Sequence, residues 1–239
     1  MAPVITKKSV FGGAVIFLVL APLLWPDSGP APDVCFSAGS ETVDVENAAA
    51  DLSRWPFGNL EKMFAIDAEK SSRMALLRRE IRKGFPVPKA WRPILEKPDN
   101  KYGLGRLSTV NALINTTRYV TEKVDQWKPP AVFLAEGGDC DGYAAAKYIL
   151  LRHLGFPAKD LRITGVRIRK NNSLHAVLVA RTGSGKFKNY VLDNIGNYVR
   201  SALYTDKYVP LISLNEKGVW IHDPRGQAIA ERFANPPLP

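Results

Sequence analysis

The chain has 239 residues, 46% of them hydrophobic and 23% charged, and its formal net charge is +10 at pH 7. This length is enough for one domain with a substantial core after an N-terminal extension, and no internal repeat or low-complexity domain is present. The positive charge suits anionic lipid or an acidic protein. We discount nucleic acid, because no DNA- or RNA-binding motif is recognisable and the chain begins with an export-like segment.

The N-terminal segment is typical of an exported protein. An apolar run at residues 10–25 follows Lys7 and Lys8, which is the order of charge and hydrophobicity in a secretory signal peptide or a short uncleaved anchor. The run is shorter than the roughly 20 residues of a membrane-spanning helix, yet prolines crowd the place where a cleavage site would lie. We therefore interpret residues 1–25 as a signal peptide or a short membrane anchor, with both alternatives open.

The composition changes after the apolar run. Residues 26–48 are rich in Pro, Gly, Ser and acidic residues, which predicts a tether, and residues 49–239 are assigned to a single domain. The two cysteines, Cys35 and Cys140, fall in different segments of this division, so we expect no structural disulfide between them. A domain whose single thiol is Cys140 is more consistent with a catalytic cysteine than with a structural disulfide.

Two helical segments are predicted in the first half of the domain. Residues 60–83 end at Gly84 and carry a basic patch, for which a solvated face is the ordinary interpretation, and residues 107–124 form an amphipathic stretch before two prolines. Trp127, which follows, is expected to pack near the motif around Cys140, although core packing explains a tryptophan equally well. Near the C-terminus, residues 219–221 are predicted to add an edge strand.

Cys140 is predicted to lie at the start of a buried helix. Asp139 suits the N-cap, residues 141–154 form an apolar helical pattern on nearly every face, and Gly155 suits the position just past the helix end. The unpaired N–H groups and partial positive charge at a helix N-terminus favour a thiolate over a thiol. The pattern therefore places Cys140 where its reactivity would be raised.

After this helix the periodicity changes from helix to strand. Residues 161–168 alternate between apolar and polar with a phase slip at Gly165, which predicts a strand with a bulge. Residues 174–181 and 187–194 then predict two strands of a hairpin around a glycine-containing loop. Together these segments predict an antiparallel sheet against which the helix bearing Cys140 packs.

The hairpin brings His175 and Asp193 together. A three-residue loop centred on Ser184 would place them directly opposite each other on one face, with Cβ atoms about 4.5–5.5 Å apart. Cys140, His175 and Asp193 then have the residue types of a nucleophile, a base and an orienting carboxylate. The alternative interpretation is a small buried cysteine beside an ordinary cross-strand pair.

Three short motifs resemble those of the bacterial transglutaminase-like cysteine proteinases, the family that includes the LapG-type periplasmic proteases. They are GDCDGY at residues 138–143, LHAV at residues 174–177 and YVLDN at residues 190–194, and the likeness extends over residues 101–220. The resemblance implies an α+β, papain-like or transglutaminase-like fold. It also implies hydrolysis of a peptide bond through a thioester, with Cys140 as nucleophile, His175 as base and acid, and Asp193 as orienter.

The carboxylates on either side of the cysteine pose an electrostatic problem. Asp139 and Asp141 place negative charge beside a thiol that must itself become negative, and like charges raise a thiol pKa. The resemblance implies that these two residues bind calcium, which would remove the opposing charge. The sequence departs from the family pattern at Gly142, where a further acidic residue is usual. The alternative is that Asp139 is only an N-cap and Asp141 a first-turn acid complementing the helix dipole.

The resemblance also implies a biological setting. We expect an exported endopeptidase in the periplasm that acts on a protein substrate such as a surface adhesin and is regulated by an inner-membrane receptor. It would be either released by cleavage of its N-terminal segment or tethered by that segment to the inner membrane. Two alternatives stay open. The same three residues could pass the thioester to an amine, as in a transglutaminase, or serve an amidase, and the fold could survive as a binding module without catalysis.

Overall fold

A computed structural model describes residues 53–54, 57, 60–64, 71–97, 103–122, 127–182 and 189–234. The predicted signal peptide or anchor at 1–25, the predicted tether at 26–48 and Cys35 all lie outside the described residues. Among the residues that are described, no helix has the length and apolar character needed to cross a membrane.

One antiparallel sheet organises the described part of the chain. Its strands are β1 (Ser53–Arg54), β2 (Leu60–Phe64), β3 (Leu161–Ile168), β4 (Leu174–Arg181), β5 (Asn189–Leu192), β6 (Arg200–Ser201), β7 (Tyr208–Leu214) and β8 (Val219–Ile221). They are arranged in the order β1-β2-β8-β7-β3-β4-β5-β6, and neighbouring strands are antiparallel throughout. The strand that carries His175 therefore lies inside the sheet, between β3 and β5.

Helices pack against this sheet. They are α1 (Ser72–Lys83), α2 (Arg92–Leu95), α3 (Leu104–Ile114), α4 (Pro130–Glu136), α5 (Cys140–His153) and α6 (Arg225–Ala234). Short 3₁₀ turns lie at Lys89–Trp91, Ala158–Asp160 and Ala202–Tyr204. The combination of helices with an antiparallel sheet is the α+β arrangement predicted from the sequence.

Helix α5 occupies the centre of the core. It contacts β3 and β4 on one side and α1, α3 and α4 on others, so its apolar residues are buried nearly all round. The helix begins at Cys140, one residue before the predicted start, with Asp139 at the N-cap. It ends before Gly155, whose φ of +93° lies in the left-handed region that glycine favours. The prediction of a buried helix that presents Cys140 in its first turn is thus confirmed.

The strands after α5 agree with the predicted periodicity, but the hairpin has a different register. The pairing of β3 with β7 shifts between Gly165 and Val166, where the bulge was predicted. In the hairpin, Leu178 pairs with Leu192, and continuing this register places Asp193 beside Val177 rather than His175. The predicted direct opposition is wrong by two residues along β4. Because side chains alternate with a period of two, this shift leaves His175 and Asp193 on the same face, as diagonal neighbours.

Two sequence predictions on segments that pair in the sheet need correction. Residues 60–64 form strand β2 rather than the start of a helix, because they pair with β8, and the helix begins only at Ser72. Residues 219–221 form a strand as predicted, yet β8 is flanked by β2 and β7 and is not an edge. In both cases the observed structure depends on pairing between segments that are far apart in sequence. Local periodicity gives no information about such pairing.

The helix predicted over residues 107–124 is shifted and shorter. Helix α3 covers Leu104–Ile114, with Asn115 as its C-cap. Two β-branched threonines follow, which weakens the tendency to continue the helix. Tyr119 instead forms a parallel bridge with Gly138. The chain leaves the helix at this point because its backbone pairs with the loop that leads into Cys140.

Candidate active site

The sulfur of Cys140 lies against the backbone of the strand that carries His175. The N–H of Ala176 donates to Cys140 Sγ at 3.3 Å, and His175 is the adjacent residue on β4. His175 Nε2 lies 2.9 Å from Asp193 Oδ1, and all three side chains are buried. The structure therefore brings the three residues singled out in the sequence into one cluster. Their catalytic roles remain a prediction.

The loop in front of Cys140 is fixed by close backbone contacts. The N–H of Val120 donates to the carbonyl oxygen of Gly138 at 2.9 Å. Gly137 has a φ of +83°, and a Cβ at this position would lie 2.2 Å from the carbonyl oxygen of Arg118. Only glycine fits such an approach, so the two residues before Asp139 serve to bring two backbone segments together and hold the start of α5.

Asp193 is held by donors from several parts of the chain. The hydroxyl of Tyr208, at the start of β7, donates to Oδ2, the N–H of Ile195 donates to Oδ1 at 3.0 Å, and Lys207 Nζ lies 3.5 Å from Oδ2. Burial by itself would raise the pKa of Asp193, but the hydrogen bonds and charge of its partners, His175 first among them, hold it well below its usual range. Asp193 is therefore an ionised carboxylate in a buried site.

Sequence reasoning missed Tyr208. Burial and the adjacent charge of Asp193 raise the pKa of Tyr208 well above its usual range, so its hydroxyl stays protonated and acts as a donor. Its ring also lies against His175, with a centroid separation of 5.8 Å. No local pattern marks this tyrosine, because only the pairing of β7 with β3 brings it beside the hairpin.

Asn115 is a second residue that sequence reasoning missed. From the C-cap of α3, its Nδ2 group lies 2.9 Å from the carbonyl oxygens of both Asp193 and Gly196, and donates to them. These bonds tie the segment after β5 to α3. Asn115 thereby fixes the backbone of Asp193, whereas Tyr208 binds its side chain.

The two carboxylates beside Cys140 have different surroundings. Asp141 Oδ2 accepts a hydrogen bond from Trp127 Nε1 at 2.6 Å and lies 3.8 Å from Arg73 Nη2. The guanidinium of Arg73 also lies over the Trp127 ring, 5.2 Å from its centroid. The prediction that Trp127 packs near the site is confirmed, and Arg73 supplies positive charge next to Asp141. Asp139 is buried at the N-cap and makes no capping hydrogen bond with its side chain.

The described residues contain no group of three or more His, Cys, Asp and Glu side chains arranged to hold a metal ion. Asp139 and Asp141 are nonetheless hard oxygen donors of the kind that calcium takes, one on each side of Cys140. A calcium ion bound here would need most of its six to eight oxygen ligands from backbone carbonyls and water.

The oxidation state of Cys140 corrects one expectation. Cys140 is disulfide-bonded in the structure, whereas no structural disulfide was expected from the sequence. The other cysteine of the chain is Cys35, which lies outside the described residues. Nucleophilic chemistry requires the reduced sulfur.

Comparison with known proteins identifies the class. Residues 96–225, more than half of the chain, match the sequence model of the family described as bacterial transglutaminase-like cysteine proteinase. The chain belongs to this family. Family membership confirms the predicted enzyme class, a cysteine protease, and the transglutaminase-like α+β fold. No curated protein matches the chain significantly.

Solved structures of LapG from Legionella pneumophila are similar to this chain. One shares 25% sequence identity with a TM-score of 0.45, and the alignment covers 69% of this chain and 90% of that one. A calcium-bound form has 24% identity and a TM-score of 0.45, with coverages of 71% and 93%. An EGTA-treated form has 24% identity and a TM-score of 0.46, with coverages of 69% and 90%.

The hydrogen bond from Tyr208 to Asp193 leads to a testable prediction. Tyr208→Phe removes a donor from a buried carboxylate, so the free energy of unfolding should fall by about 1–2 kcal/mol. His175 should also be held less firmly, so reduced Cys140 should react more slowly with iodoacetamide. Denaturant unfolding and the alkylation rate constant, both in a Cys35→Ser background under reductant, measure the two effects.

Tyr198→Phe is the matched control, because this side chain is 75% exposed. It should change neither stability nor alkylation by more than experimental error. Equal behaviour of the two phenylalanine variants would show that the Tyr208 hydroxyl contributes nothing to the site.

Proposed function

We propose that this protein is an exported cysteine endopeptidase that hydrolyses a peptide bond of a protein substrate with Cys140, His175 and Asp193. One observation carries the proposal, the joint presence of two contacts. His175 Nε2 lies 2.9 Å from Asp193 Oδ1, and the N–H of Ala176, the residue after His175 on β4, donates to Cys140 Sγ. An ordinary buried cysteine or a chance polar pair would not require both contacts in one place.

In this proposal each ring nitrogen of His175 has its own role. Asp193 occupies Nε2, which fixes the orientation of the imidazole and leaves Nδ1 to exchange protons. His175 Nδ1 is buried and has no hydrogen-bond partner among the described residues. In the proposed reaction Nδ1 takes the proton of the Cys140 thiol and later gives it to the leaving amine.

The reaction proceeds in two stages. The Cys140 thiolate attacks the scissile carbonyl carbon, a carbon–sulfur bond forms, and the carbon–nitrogen bond breaks as the amine takes its proton from His175. Water, deprotonated by His175, then attacks the thioester and releases the acid and the thiol. The first N–H groups of α5 have no carbonyl partner within the helix, so the N–H of Cys140, its first residue, would help to receive the oxyanion.

The first experiment tests this proposal on the full chain. In a Cys35→Ser background under reductant, Cys140 should react with iodoacetamide at or below neutral pH, since its pKa should lie below the ordinary thiol value of about 8.5. His175→Ala should abolish this reactivity near neutral pH. His153→Ala, at the far end of α5, is the control and should leave the rate unchanged.

An ordinary thiol profile that does not depend on His175 would refute the catalytic assignment and favour a binding module. If reactivity is confirmed, digestion of a casein substrate with and without an added primary amine separates hydrolysis from acyl transfer. Incorporation of the amine in preference to water would assign the protein as a transglutaminase.

Calcium is the second part of the proposal. Asp139 and Asp141 would hold the ion, which would supply positive charge beside the developing thiolate. The support is the chemistry and position of these two carboxylates. Arg73 already lies near Asp141, so the calcium contribution adds to a charge that the protein itself provides.

Trp127 provides a readout for calcium that does not depend on activity. Because its Nε1 donates to Asp141, calcium binding at Asp141 should perturb its environment. Calcium added to about 1 mM should produce a saturable change in tryptophan fluorescence and faster alkylation of Cys140, and EGTA should reverse both. Trp127→Phe should remove the fluorescence change, and Asp141→Asn should remove both responses. Unchanged fluorescence and alkylation would eliminate calcium from the proposal.

The cellular setting is the third part of the proposal, and the N-terminal segment and the charge support it. In this proposal the protein lies in the periplasm and is tethered to the inner membrane through residues 1–25. Its substrate is a surface adhesin, for which the net charge of +10 favours an acidic protein, and its regulator is an inner-membrane receptor. In a Gram-negative host, the full chain should fractionate with the inner membrane, and a chain without residues 1–25 should stay in the cytoplasm. Recovery of the full chain in the cytoplasm would contradict this placement.

A further inference from the structure

Lys147 is a lysine in the core of the protein. It lies on α5 and is only 1% exposed, although lysine is almost never fully buried unless it is paired. Within the described residues its ammonium group forms neither a hydrogen bond nor an ion pair. Its Nζ lies 5.8 Å from the centroid of the Tyr143 ring, one turn earlier on the same helix. A buried cation with so few direct partners calls for a physical reason.

The position of Lys147 relates it to the candidate active site. Cys140 and Lys147 are seven residues apart, which is about two turns, so they lie on the same face of α5. Long side chains on a helix lean toward its N-terminus, and the contact with Tyr143 shows that Lys147 does so. Its ammonium group therefore extends along α5 toward the turn that bears Cys140, and the negative charge of Asp193 raises the pKa of Lys147 against the effect of burial.

Burying Lys147 costs stability. Burial lowers the pKa of Lys147 to about 7, and the negative charge of Asp193 opposes only part of this effect. Between that value and the ordinary lysine pKa of about 10.4 the unfolded chain binds more protons than the folded one, so stability falls as the pH falls through this window. At neutral pH an apolar side chain of similar length would avoid this cost. A charged side chain buried at such a cost, two turns along α5 from Cys140, indicates a functional role.

We propose that Lys147 is a positioning residue of the active site, whose buried charge supports the Asp193 carboxylate and, through it, the orientation of His175. The proposal rests on the catalytic roles assigned above. His175 gains and loses a proton in each cycle, so the positive charge it offers Asp193 is intermittent. Lys207 also lies near Asp193, but its side chain is 47% exposed and solvent screens it. Lys147 lies in the dry interior, where one charge acts more strongly.

Replacement of Lys147 separates its electrostatic role from its packing. In the full chain with Cys35→Ser, under reductant at pH 7, we expect Lys147→Met to slow alkylation of Cys140 by iodoacetamide about tenfold or more, as a shift of one pKa unit would. Its Tm should stay equal or rise, because the buried charge is gone. Lys147→Arg keeps the charge and should retain a rate within about threefold of the parent.

Arg162→Met is the control for removal of a buried cation elsewhere. Arg162 is 6% exposed and its guanidinium lies 3.5 Å from the centroid of the Trp220 ring, on the part of β3 that pairs with Val179 rather than His175. Its replacement should lower the Tm and leave the alkylation rate unchanged. This is the opposite of the pattern expected for Lys147→Met.

Two results would overturn the inference. One is an unchanged alkylation rate in Lys147→Met, and the other is an equal loss in Lys147→Met and Lys147→Arg, which would exclude charge as the cause. If Lys147→Met does not fold, Lys147→Gln replaces it in the comparison with Lys147→Arg under the same criterion. His175→Ala, measured in parallel, separates the two proposals. If reactivity depends on His175 but not on Lys147, only the present inference fails, and if it depends on neither, the catalytic assignment fails.

Discussion

An ionised carboxylate inside a protein must be surrounded by donors, and the Asp193 side chain imposes this constraint on the whole site. Its two oxygens take hydrogen bonds from His175, Tyr208 and the N–H of Ile195, which belong to different strands and a loop. Each of these donors must be correctly positioned, because burying a carboxylate without hydrogen bonds costs a large free energy. The burial of Asp193 therefore depends on three features together: the register of the hairpin, the packing of β7 and the conformation of the loop after β5.

Helix α5 provides the complementary constraint on the nucleophile. Because the helix is buried on nearly every side, it cannot rotate or slide without disrupting contacts to β3, β4, α1 and α3. The loop before it is equally fixed, since the backbone of Gly137 approaches Arg118 too closely for any other residue. Cys140 is therefore placed by packing at one end and by backbone contacts at the other. Asp193 and Cys140 are held by different sets of contacts, and β4 carries the imidazole of His175.

Sequence reasoning succeeded where the relevant signal is local. The start of α5, the glycine at its end and the bulge in β3 all follow from residues within one element. The contact between His175 and Asp193 was predicted from a hairpin register that is wrong by two residues. The contact still forms because side chains alternate between the two faces of a sheet, so a shift of two residues keeps both side chains on the same face. Tyr208, Asn115 and strand β2 were missed because each acts through a partner far away in sequence, which no periodicity reveals.

The charges around Cys140 form a pattern that neither the sequence nor any single contact displays. Negative charge from Asp139 and Asp141 lies on the same helix turn as the nucleophile, and Asp193 adds a third carboxylate within the buried cluster. Positive charge comes from Arg73 near Asp141 and from Lys147 below Cys140 on α5. The anions lie in the motifs that were singled out in the sequence, whereas the cations lie on α1 and on the buried part of α5. The burial that makes Lys147 costly is also what makes its charge effective, since a lysine in water would be screened from Asp193.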